Sequence, residues 1–443
     1  MKKLKKILKF SSYTLGCKLN FSETSTIIRK VSKLKNFKKV DFNKFSDLCI
    51  INTCSVTEKP EKELIKIINS LKKKNSKIFI IVIGCYAQLQ PKKISKIKEV
   101  DLILGNKEKF YLDNYINNFF LKKKKINKKF FCDKYEFKKY ENSYSINDRT
   151  RSFLKIQDGC NYKCSYCTIP FARGLSRSDK IENVINNIKK IVKNGVKEIV
   201  LTGINIGDYN YVENKIKYNF LDLINKIENI KEIVRIRVSS IEPNLFSDEI
   251  INFFHKSKKF VQHFHIPLQS GSDEILKKMQ RRYLSKFYFK KIEKIKKLMP
   301  NSCIGADVIV GFPGETKENF LETYNFIKNL PISYLHVFSF SYRKKTKAEK
   351  LYNNNVNNVL EKYKKERRKM LQILSEKKKR FFYEKQLNKM HNVLFEKENK
   401  KGWIYGYTEN FIRVKSIWKK EKVNKIKYNI KLNKIDKDGI MIL

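Results

Sequence analysis

The sequence has little glycine and proline, 15 and 8 residues among 443, and few acidic residues, 44 against 97 lysines and arginines. It also lacks any uninterrupted apolar run near the roughly 20 residues that span a bilayer, which argues against a transmembrane helix. The first ten residues are basic, but their apolar run is short and interrupted by lysine, and no small-residue cleavage site follows. We therefore expect a cytoplasmic protein.

The formal net charge is +53 at pH 7. Such a surplus would bind phosphate backbones, which indicates a nucleic-acid partner. Abundant Lys, Asn, Ile, Phe and Tyr beside scarce Gly and Pro are also what an AT-rich coding genome gives. Both interpretations stay open, so the charge indicates nucleic acid without establishing it.

The order of apolar and helical segments predicts an α/β protein with several domains, as the length of 443 residues also suggests. In residues 8–122, short apolar runs alternate with lysine-rich helical stretches, which is typical of an open parallel βα sheet. Residues 123–145 are polar and basic, and we expect them to form a linker. In residues 146–377, six βα units predict a parallel sheet curled into a partial, TIM-like (βα)6 barrel. A long charged helix over about 356–388 leads into residues 378–443, whose short strands predict a small, OB-like antiparallel β-barrel.

Three cysteines lie within eight residues, at Cys160, Cys164 and Cys167. Cytosolic thiols stay reduced, so such clustering indicates metal or redox chemistry. Structural zinc needs four ligands, and the next candidates, His255 and Cys303, are distant in sequence. Three thiolates suit a [4Fe–4S] cluster with one iron left open. An open iron can bind S-adenosylmethionine, and the reduced cluster can cleave it to a 5′-deoxyadenosyl radical.

Three further cysteines, Cys17, Cys54 and Cys85, each follow a predicted parallel strand. The carboxyl ends of parallel strands share one edge of a sheet, so these residues can converge there. Cysteine is also a common buried residue, and we interpret Cys49, Cys132 and Cys303 in that way. The pattern predicts a second cluster held by Cys17, Cys54 and Cys85.

These motifs resemble the methylthiotransferase family of radical S-adenosylmethionine (SAM) enzymes. The resemblance covers most of residues 9–350, and "GYTENFIRVK" resembles the family's C-terminal RNA-binding TRAM domain. The matching segments are "YTLGCKLNFSET", "INTCSVTEKPEKE", "GCYAQLQP", "QDGCNYKCSYCTIPFARG", "HFHIPLQSGSDEILKKM" and "ADVIVGFPGET". The resemblance implies two [4Fe–4S] clusters. The radical cluster would be held by Cys160, Cys164 and Cys167, and an auxiliary cluster by Cys17, Cys54 and Cys85.

Within the family, the sequence is most similar to the branch that acts on threonylcarbamoyladenosine beside the tRNA anticodon. This implies transfer of a methylthio group to adenine C2, with tRNA as substrate and a flavodoxin- or ferredoxin-type electron donor. Two alternatives keep the chemistry and change the substrate, to isopentenyladenosine in tRNA or to a ribosomal protein. A third, of another class, is a noncatalytic Fe–S protein that binds RNA.

Other site residues follow from the resemblance or from local pattern. The resemblance implies that Tyr166, Gly311 and Glu315 help to bind the cofactor, although ordinary turn chemistry also explains the last two. It also shows two departures, Ser339 where proline is usual and Lys345 where glycine is usual, which leave that loop's shape open.

Local pattern gives three further groups of residues. His263 and His265 share a strand face and either bind metal or line the barrel. Arg173 and Arg177 either clamp an anion or lie solvated at the surface. Near the C-terminus, aromatic residues could stack on unpaired bases, or could fill a small barrel's core: Trp403, Tyr405, Tyr407 and Phe411.

Overall fold

The structure is a computed structural model that describes residues 7–55, 59–121, 129–130, 137, 139–146, 148–353 and 358–443. Cys132 and most of the predicted linker lie outside these ranges. The chain divides into two compact units. The first comprises Met1–Asp148, Phe153–Tyr162 and Thr168–Asp179, and the second comprises Arg149–Ser152, Lys163–Cys167 and Lys180–Leu443. The predicted boundaries at 122, 145 and 377 stay predictions.

The first unit contains a six-stranded parallel sheet in the order β2-β1-β3-β4-β5-β6. Its strands are β1 (Leu8–Thr14), β2 (Phe37–Lys39), β3 (Leu48–Thr53), β4 (Phe79–Gly84), β5 (Leu102–Leu104) and β6 (Lys129–Phe130). The helices along this part of the chain are α1 (Lys18–Val31), α2 (Lys59–Lys74), α3 (Cys85–Leu89), α4 (Pro91–Ile94) and α5 (Leu112–Ile116), with a 3₁₀ turn at Glu108–Tyr111 and a π turn at Asn117–Leu121.

Strands β3 and β4 are apolar on both faces because the sheet is covered on both sides. Ile51 and Val82 belong to one hydrophobic cluster, while Ile50 and Ile81 belong to another. The predicted open parallel sheet is therefore confirmed. The next elements in the chain are β7 (Ser152–Lys155), β8 (Gln157–Asp158), α6 (Ile169–Arg173) and β9 (Arg177–Ser178), of which β8 and β9 pair antiparallel.

The second unit contains five parallel strands that follow one another in chain order: β10 (Glu198–Thr202), β13 (Arg235–Val238), β14 (His263–His265), β15 (Cys303–Val310) and β16 (Tyr334–Ser339). A short hairpin joins β11 (Asn210–Glu213) and β12 (Ile216–Asn219). The helices are α7 (Ile181–Lys193), α8 (Phe220–Glu228), α9 (Asp248–Lys256), α10 (Asp273–Lys278), α11 (Ser285–Leu298), α12 (Lys317–Asn329), α13 (Lys347–Asn353) and α14 (Glu361–Glu384), with 3₁₀ turns at Ile206–Asp208 and Pro243–Leu245. The βα alternation and the long charged helix are as predicted.

The C-terminal part is a curled six-stranded sheet in the order β20-β17-β18-β19-β22-β21. Its strands are β17 (Met390–Lys400), β18 (Trp403–Thr408), β19 (Arg413–Ile417), β20 (Ile426–Lys431), β21 (Lys434–Ile435) and β22 (Met441–Ile442), with a 3₁₀ turn at Lys420–Lys422. Register shifts in β17 bend the sheet. The predicted small antiparallel barrel is confirmed, except that β19 and β22 pair in parallel.

A search of the described helices for one long and apolar enough to cross a membrane finds none.

Candidate functional site

The first sheet has a switch point between β1 and β3, because β2 lies on one side of β1 and the later strands on the other. Open parallel sheets bind ligands at the carboxyl ends of their strands at such a point. Cys17 follows β1, Cys54 follows β3, and Cys85 begins α3 directly after β4. The structure therefore places all three predicted cysteines at neighbouring strand ends along one edge.

Two close contacts shape this edge. Gly16 has φ +96°, and a Cβ added there would lie 2.6 Å from Cys54 Cβ and 2.9 Å from Cys54 Sγ. Glycine is needed for both the backbone angle and the close approach. Asn106 Nδ2 donates to Cys85 Sγ at 3.5 Å. Desolvation raises the pKa of the Cys17 thiol, Arg173 lowers it, and the nearby Cys85 thiol raises it further. The Cys17 and Cys85 thiols influence each other, and Cys54 lies against Gly16, so the three thiols share one edge and fit the donor set of an Fe–S cluster.

Arg173 is buried, with 1% of its side chain exposed. Its guanidinium donates to both carboxylate oxygens of Glu23, at 2.9 and 3.0 Å, and to Asp158 at 3.0 Å. Arg177 lies 3.6 Å from Asp158 and is 12% exposed. The alternative of solvated surface arginines is therefore wrong, and the anions that these arginines clamp belong to the protein.

The segment that carries the first cysteine trio begins in the first unit. Cys160 is buried, its N–H donates to the Gly174 carbonyl at 3.1 Å, and its Sγ accepts the N–H of Tyr162 at 3.4 Å. These bonds fix the start of the loop by main-chain contacts. Cysteine sulfur that accepts backbone N–H groups is typical of Fe–S sites, where such bonds tune the cluster.

The rest of that segment is held in the second unit by Arg281. This guanidinium donates to Cys164 Sγ at 3.2 Å and to Tyr166 Oη at 3.3 Å, and it pairs with Glu242. Burial raises the pKa of Tyr166 well above its usual value despite Arg281, so the phenol stays protonated. Cys167 donates its N–H to the Cys164 carbonyl at 3.1 Å. Both thiols are half-buried, which suits ligands that must also admit a small molecule.

Gly311 and Glu315 lie where β15 passes into α12. Gly311 has φ +73° and its N–H donates to Glu315 at 2.9 Å. Arg367 of α14 pairs with the same carboxylate, and Lys364 of α14 covers Gly311. Glu315 thus shapes this turn through its contacts with Gly311 and Arg367, and direct contact with a cofactor stays a prediction.

The two histidines of β14 have different partners. His263 is buried, hydrogen-bonds Tyr334 Oη at 2.9 Å and stacks on Phe411 at 4.1 Å. His265 faces Asp307 at 2.8 Å, and His336 lies 3.3 Å from the same carboxylate. The predicted pair therefore does not form a joint site, because His265 joins Asp307 and His336 on the neighbouring strands instead.

The loop with the two departures keeps a glycine-like shape. Lys345 has φ +67°, in the left-handed region, and its N–H donates to Glu349 at 2.6 Å. Since glycine enters this region more easily than lysine does, the loop retains the conformation at the cost of local strain.

Strand β18 presents three half-buried aromatic rings on one face, because its residues alternate in direction. Lys415 lies over Trp403 at 4.9 Å, and Arg413 lies over Tyr405 at 4.9 Å and over Tyr407 at 5.3 Å. Phe411 stacks on both His263 and Tyr407, so its ring is engaged within the protein. This aromatic face, made of Trp403, Tyr405 and Tyr407 with their cations, is a candidate surface for unpaired bases.

Two family models match the chain, the Radical SAM superfamily over residues 154–327 and the uncharacterized protein family UPF0004 over residues 9–105. The threonylcarbamoyladenosine tRNA methylthiotransferase MtaB of Bacillus subtilis is 38% identical over 91% of this chain and 89% of that protein. MtaB of Aquifex aeolicus is 36% identical, over 92% and 96%. The chain belongs to the radical SAM methylthiotransferase family. The tRNA-2-methylthio-N(6)-dimethylallyladenosine synthase of Endomicrobium trichonymphae is 34% identical, over 96% and 97%.

Among solved structures, the methylthiotransferase chain shares its fold with the radical SAM methyltransferase TsrM of Kitasatospora setae. The TM-score is 0.53 at 12% identity, over 75% of each chain, and that protein has cobalamin and a [4Fe–4S] cluster bound. Family membership means that this methylthiotransferase is an enzyme that works with [4Fe–4S] clusters and SAM.

Three features of the site were not predicted from the sequence. Arg281, the His265–Asp307–His336 group and the Glu23 carboxylate all depend on residues far apart in the chain. One signal was available for Arg281, because against a background of lysine it stands out as the less common cation. Arginine is preferred where a planar, bidentate partner must be held in a buried site.

Proposed function

We propose that this methylthiotransferase adds a methylthio group to C2 of N6-threonylcarbamoyladenosine at position 37 of tRNA, next to the anticodon. The assignment of this substrate is supported by similarity to four MtaB proteins named for that modification. The similarity extends over 90–92% of the chain at 34–38% identity. Synthases of the dimethylallyl form match at 33–38% identity, which keeps that adenosine as the second candidate.

Cys160, Cys164 and Cys167 would hold the radical cluster, and Cys17, Cys54 and Cys85 the auxiliary cluster. When bound, the two clusters supply reductive cleavage of SAM and the sulfur that is transferred.

The chain's own residues orient and shield this chemistry. Arg281 fixes Cys164 and Tyr166 relative to each other through one guanidinium, so the loop keeps its shape while the thiols bind iron. Gly311 and Glu315 form the turn after β15 that would approach the adenosyl group, and the Gly311 N–H holds this turn by donating to Glu315. Tyr166 packs against the hydrophobic cluster that contains Phe312 and Phe340.

The curled C-terminal sheet would act as the TRAM domain and bind tRNA. Base stacking on aromatic rings tolerates any sequence, and the overlying cations would meet phosphates. Among the predicted stacking residues, Trp403 and Tyr405 are better placed than Phe411, which the protein already stacks. We further propose a cytoplasmic location, where tRNA is modified, and a flavodoxin- or ferredoxin-type electron donor.

Nucleoside mass spectrometry of tRNA tests the substrate. Cells without the protein should lack 2-methylthio-N6-threonylcarbamoyladenosine and accumulate the unthiolated nucleoside. Wild-type protein should restore it, and a variant with Cys160, Cys164 and Cys167 replaced by alanine should not. Loss of the methylthio dimethylallyl nucleoside instead would overturn the first substrate in favour of the second.

A further inference from the structure

A group of buried charged residues lies beneath the cysteine edge of the first unit. We call Glu23, Lys109, Lys155, Asp158 and Arg173 the Glu23 network. Lys109 Nζ lies 2.6 Å and Lys155 Nζ 3.2 Å from Glu23, whose two oxygens also accept from Arg173. Lys155 and Arg173 both reach Asp158, at 3.4 and 3.0 Å. Asp158 is 9% exposed at its side chain and the other four are exposed by 1% or less.

The Glu23 network contains three cations and two carboxylates, so its charges do not balance. Arg177, 3.6 Å from Asp158, adds a fourth cation at its margin. Burying an ion without a counterion costs several kcal/mol, so an excess of buried positive charge requires a nearby anion. Among the described residues, the carboxylates paired with Arg173 are Glu23 and Asp158, and Lys109 and Lys155 share them. The excess positive charge therefore calls for a further anion beside this network.

Hydrogen bonds connect this network to all three strand ends that carry the cysteines. Arg173 donates to Asn20 Oδ1 at 2.8 Å, and Asn20 Nδ2 donates to the carbonyls of Leu15 and Thr53, at 2.9 and 3.2 Å. Leu15 comes two residues before Cys17, and Thr53 comes directly before Cys54. On the other side, Lys109 donates to Asn106 Oδ1 at 2.7 Å. Asn106 Nδ2 then reaches Cys85 Sγ at 3.5 Å.

One donor of Arg173 is left over. Its Nε is buried and has no hydrogen-bond partner within the part of the chain that the structure describes. Buried donors are almost always paired, and each exception calls for a physical reason. Arg173 is joined through Asn20 to the carbonyls of Leu15 and Thr53, beside Cys17 and Cys54, so an anionic group held by the cysteines of this edge would supply both the absent partner and the absent charge.

We propose that Arg173 is a positioning residue for the auxiliary cluster, and that the Glu23 network holds this cluster by hydrogen bonds and raises its reduction potential. The proposal rests on the proposed binding of that cluster by Cys17, Cys54 and Cys85. Three thiolates make such a cluster anionic, and one-electron reduction adds a further negative charge. A fixed buried cation stabilises the reduced form more than the oxidised form. Net charge and hydrogen bonds to sulfur are the two means by which a protein sets such a potential.

The test uses full-length protein in which Cys160, Cys164 and Cys167 are alanine, so that only the auxiliary cluster remains. Iron per chain is measured first, and the cluster is then titrated anaerobically with dithionite, which donates one electron per cluster, while its electron paramagnetic resonance signal is followed. Arg173→Gln removes the charge and Arg173→Lys keeps it without Nε. Arg237→Gln, another buried arginine that pairs with a glutamate, is the matched control in the second unit.

We expect Arg173→Gln to reduce the equilibrium constant for reduction roughly tenfold, which is about 59 mV for one electron. Arg173→Lys should give a smaller shift in the same direction, and Arg237→Gln none. If Arg173→Gln assembles no cluster, the shift in reduction potential is measured in Arg173→Lys alone. An unchanged potential in the assembled Arg173 variants, or an equal shift in Arg237→Gln, would overturn the proposal. Absence of iron from the starting triple variant would instead refute the auxiliary cluster itself, so the two failures are distinguishable.

Discussion

Replacing Glu198 by glutamine should destabilise the second unit by about 3–5 kcal/mol, since it breaks a buried ion pair on one side. The carboxylate is fully buried on β10 and contacts two arginines of β13, Arg235 at 2.7 Å and Arg237 at 2.9 Å. These arginines also donate to main-chain carbonyls of the C-terminal sheet, for example Arg235 to Tyr407 at 3.0 Å. Glutamine would leave two guanidinium groups buried without a full counter-charge.

The pH dependence gives an independent value for the same interaction. Burial raises the pKa of Glu198, but Arg237 and Arg235 outweigh this effect and lower the pKa to about 2, from an ordinary value of 4.5. The unfolded chain then binds the proton more readily than the folded chain does, so protonation favours unfolding. The stabilisation is complete above about pH 4.5 and is lost as the pH falls towards 2. At 1.36 kcal/mol per pKa unit it amounts to roughly 3 kcal/mol, which agrees with the cost of the substitution.

Differential scanning calorimetry of the full chain measures this effect. Glu198→Gln should lower the melting temperature at pH 7 by roughly 10 °C, and the difference from wild type should shrink between pH 4.5 and 3. The control is Glu213→Gln, which removes an exposed partner of Lys180 at 3.0 Å and should leave the melting temperature unchanged. Equal melting of Glu198→Gln and wild type, or a difference that grows on acidification, would refute the reasoning.

Three further predictions follow from the same structure. Reconstituted protein should contain about eight iron atoms per chain, and alanine in place of either cysteine trio should leave about four; four in the wild type would contradict the two-cluster assignment. Lys345→Gly should relieve the strain of the left-handed backbone and make the protein about 1 kcal/mol more stable than the neighbouring control Lys344→Gly. Equal melting temperatures of the two variants would contradict the strain. Trp403→Ala and Tyr405→Ala should each weaken tRNA binding in filter assays by about 1–3 kcal/mol. The control Phe45→Ala, which removes an exposed aromatic ring of the first unit, should leave binding unchanged. Equal effects of all three changes would show that the aromatic face does not bind tRNA.

Much of the fold was predictable because its signals are local. Strands β3 and β4 are mainly apolar, and each is followed at once by a cysteine, so both the strand and its functional end can be identified in a few residues. Strand β2 is only Phe37–Lys39, and its three residues show no alternation that would distinguish them from a loop. Its position beside β1 nevertheless creates the switch point at the cysteine edge. The sequence thus indicated which residues lie at the edge, but not the strand order that explains why.

The charged part of the site was not predictable, because its partners are far apart in the chain. Glu23 lies 150 positions before Arg173, and no local pattern pairs the two residues. Arg281 lies 117 positions after Cys164, and nothing in its own segment points to that cysteine. Only the three-dimensional fold brings such residues within hydrogen-bond distance. The presence of arginine rather than lysine was the one available indication of these contacts, since arginine is the better cation for buried, bidentate contacts.

The contrast between buried and exposed lysines bears on the origin of the lysine surplus. Lys109 and Lys155 are fully buried and share a carboxylate, and an unpaired lysine at either place would cost several kcal/mol. Drift in codon usage therefore cannot account for them, and the question applies only to lysines at the surface. There, the slope of tRNA affinity against salt counts the cations that meet phosphates, at about 0.7–0.9 per contact. If the slope corresponds to only a few contacts, codon usage accounts for most exposed lysines, and the cations over Trp403 and Tyr405 become the specific part of the RNA surface.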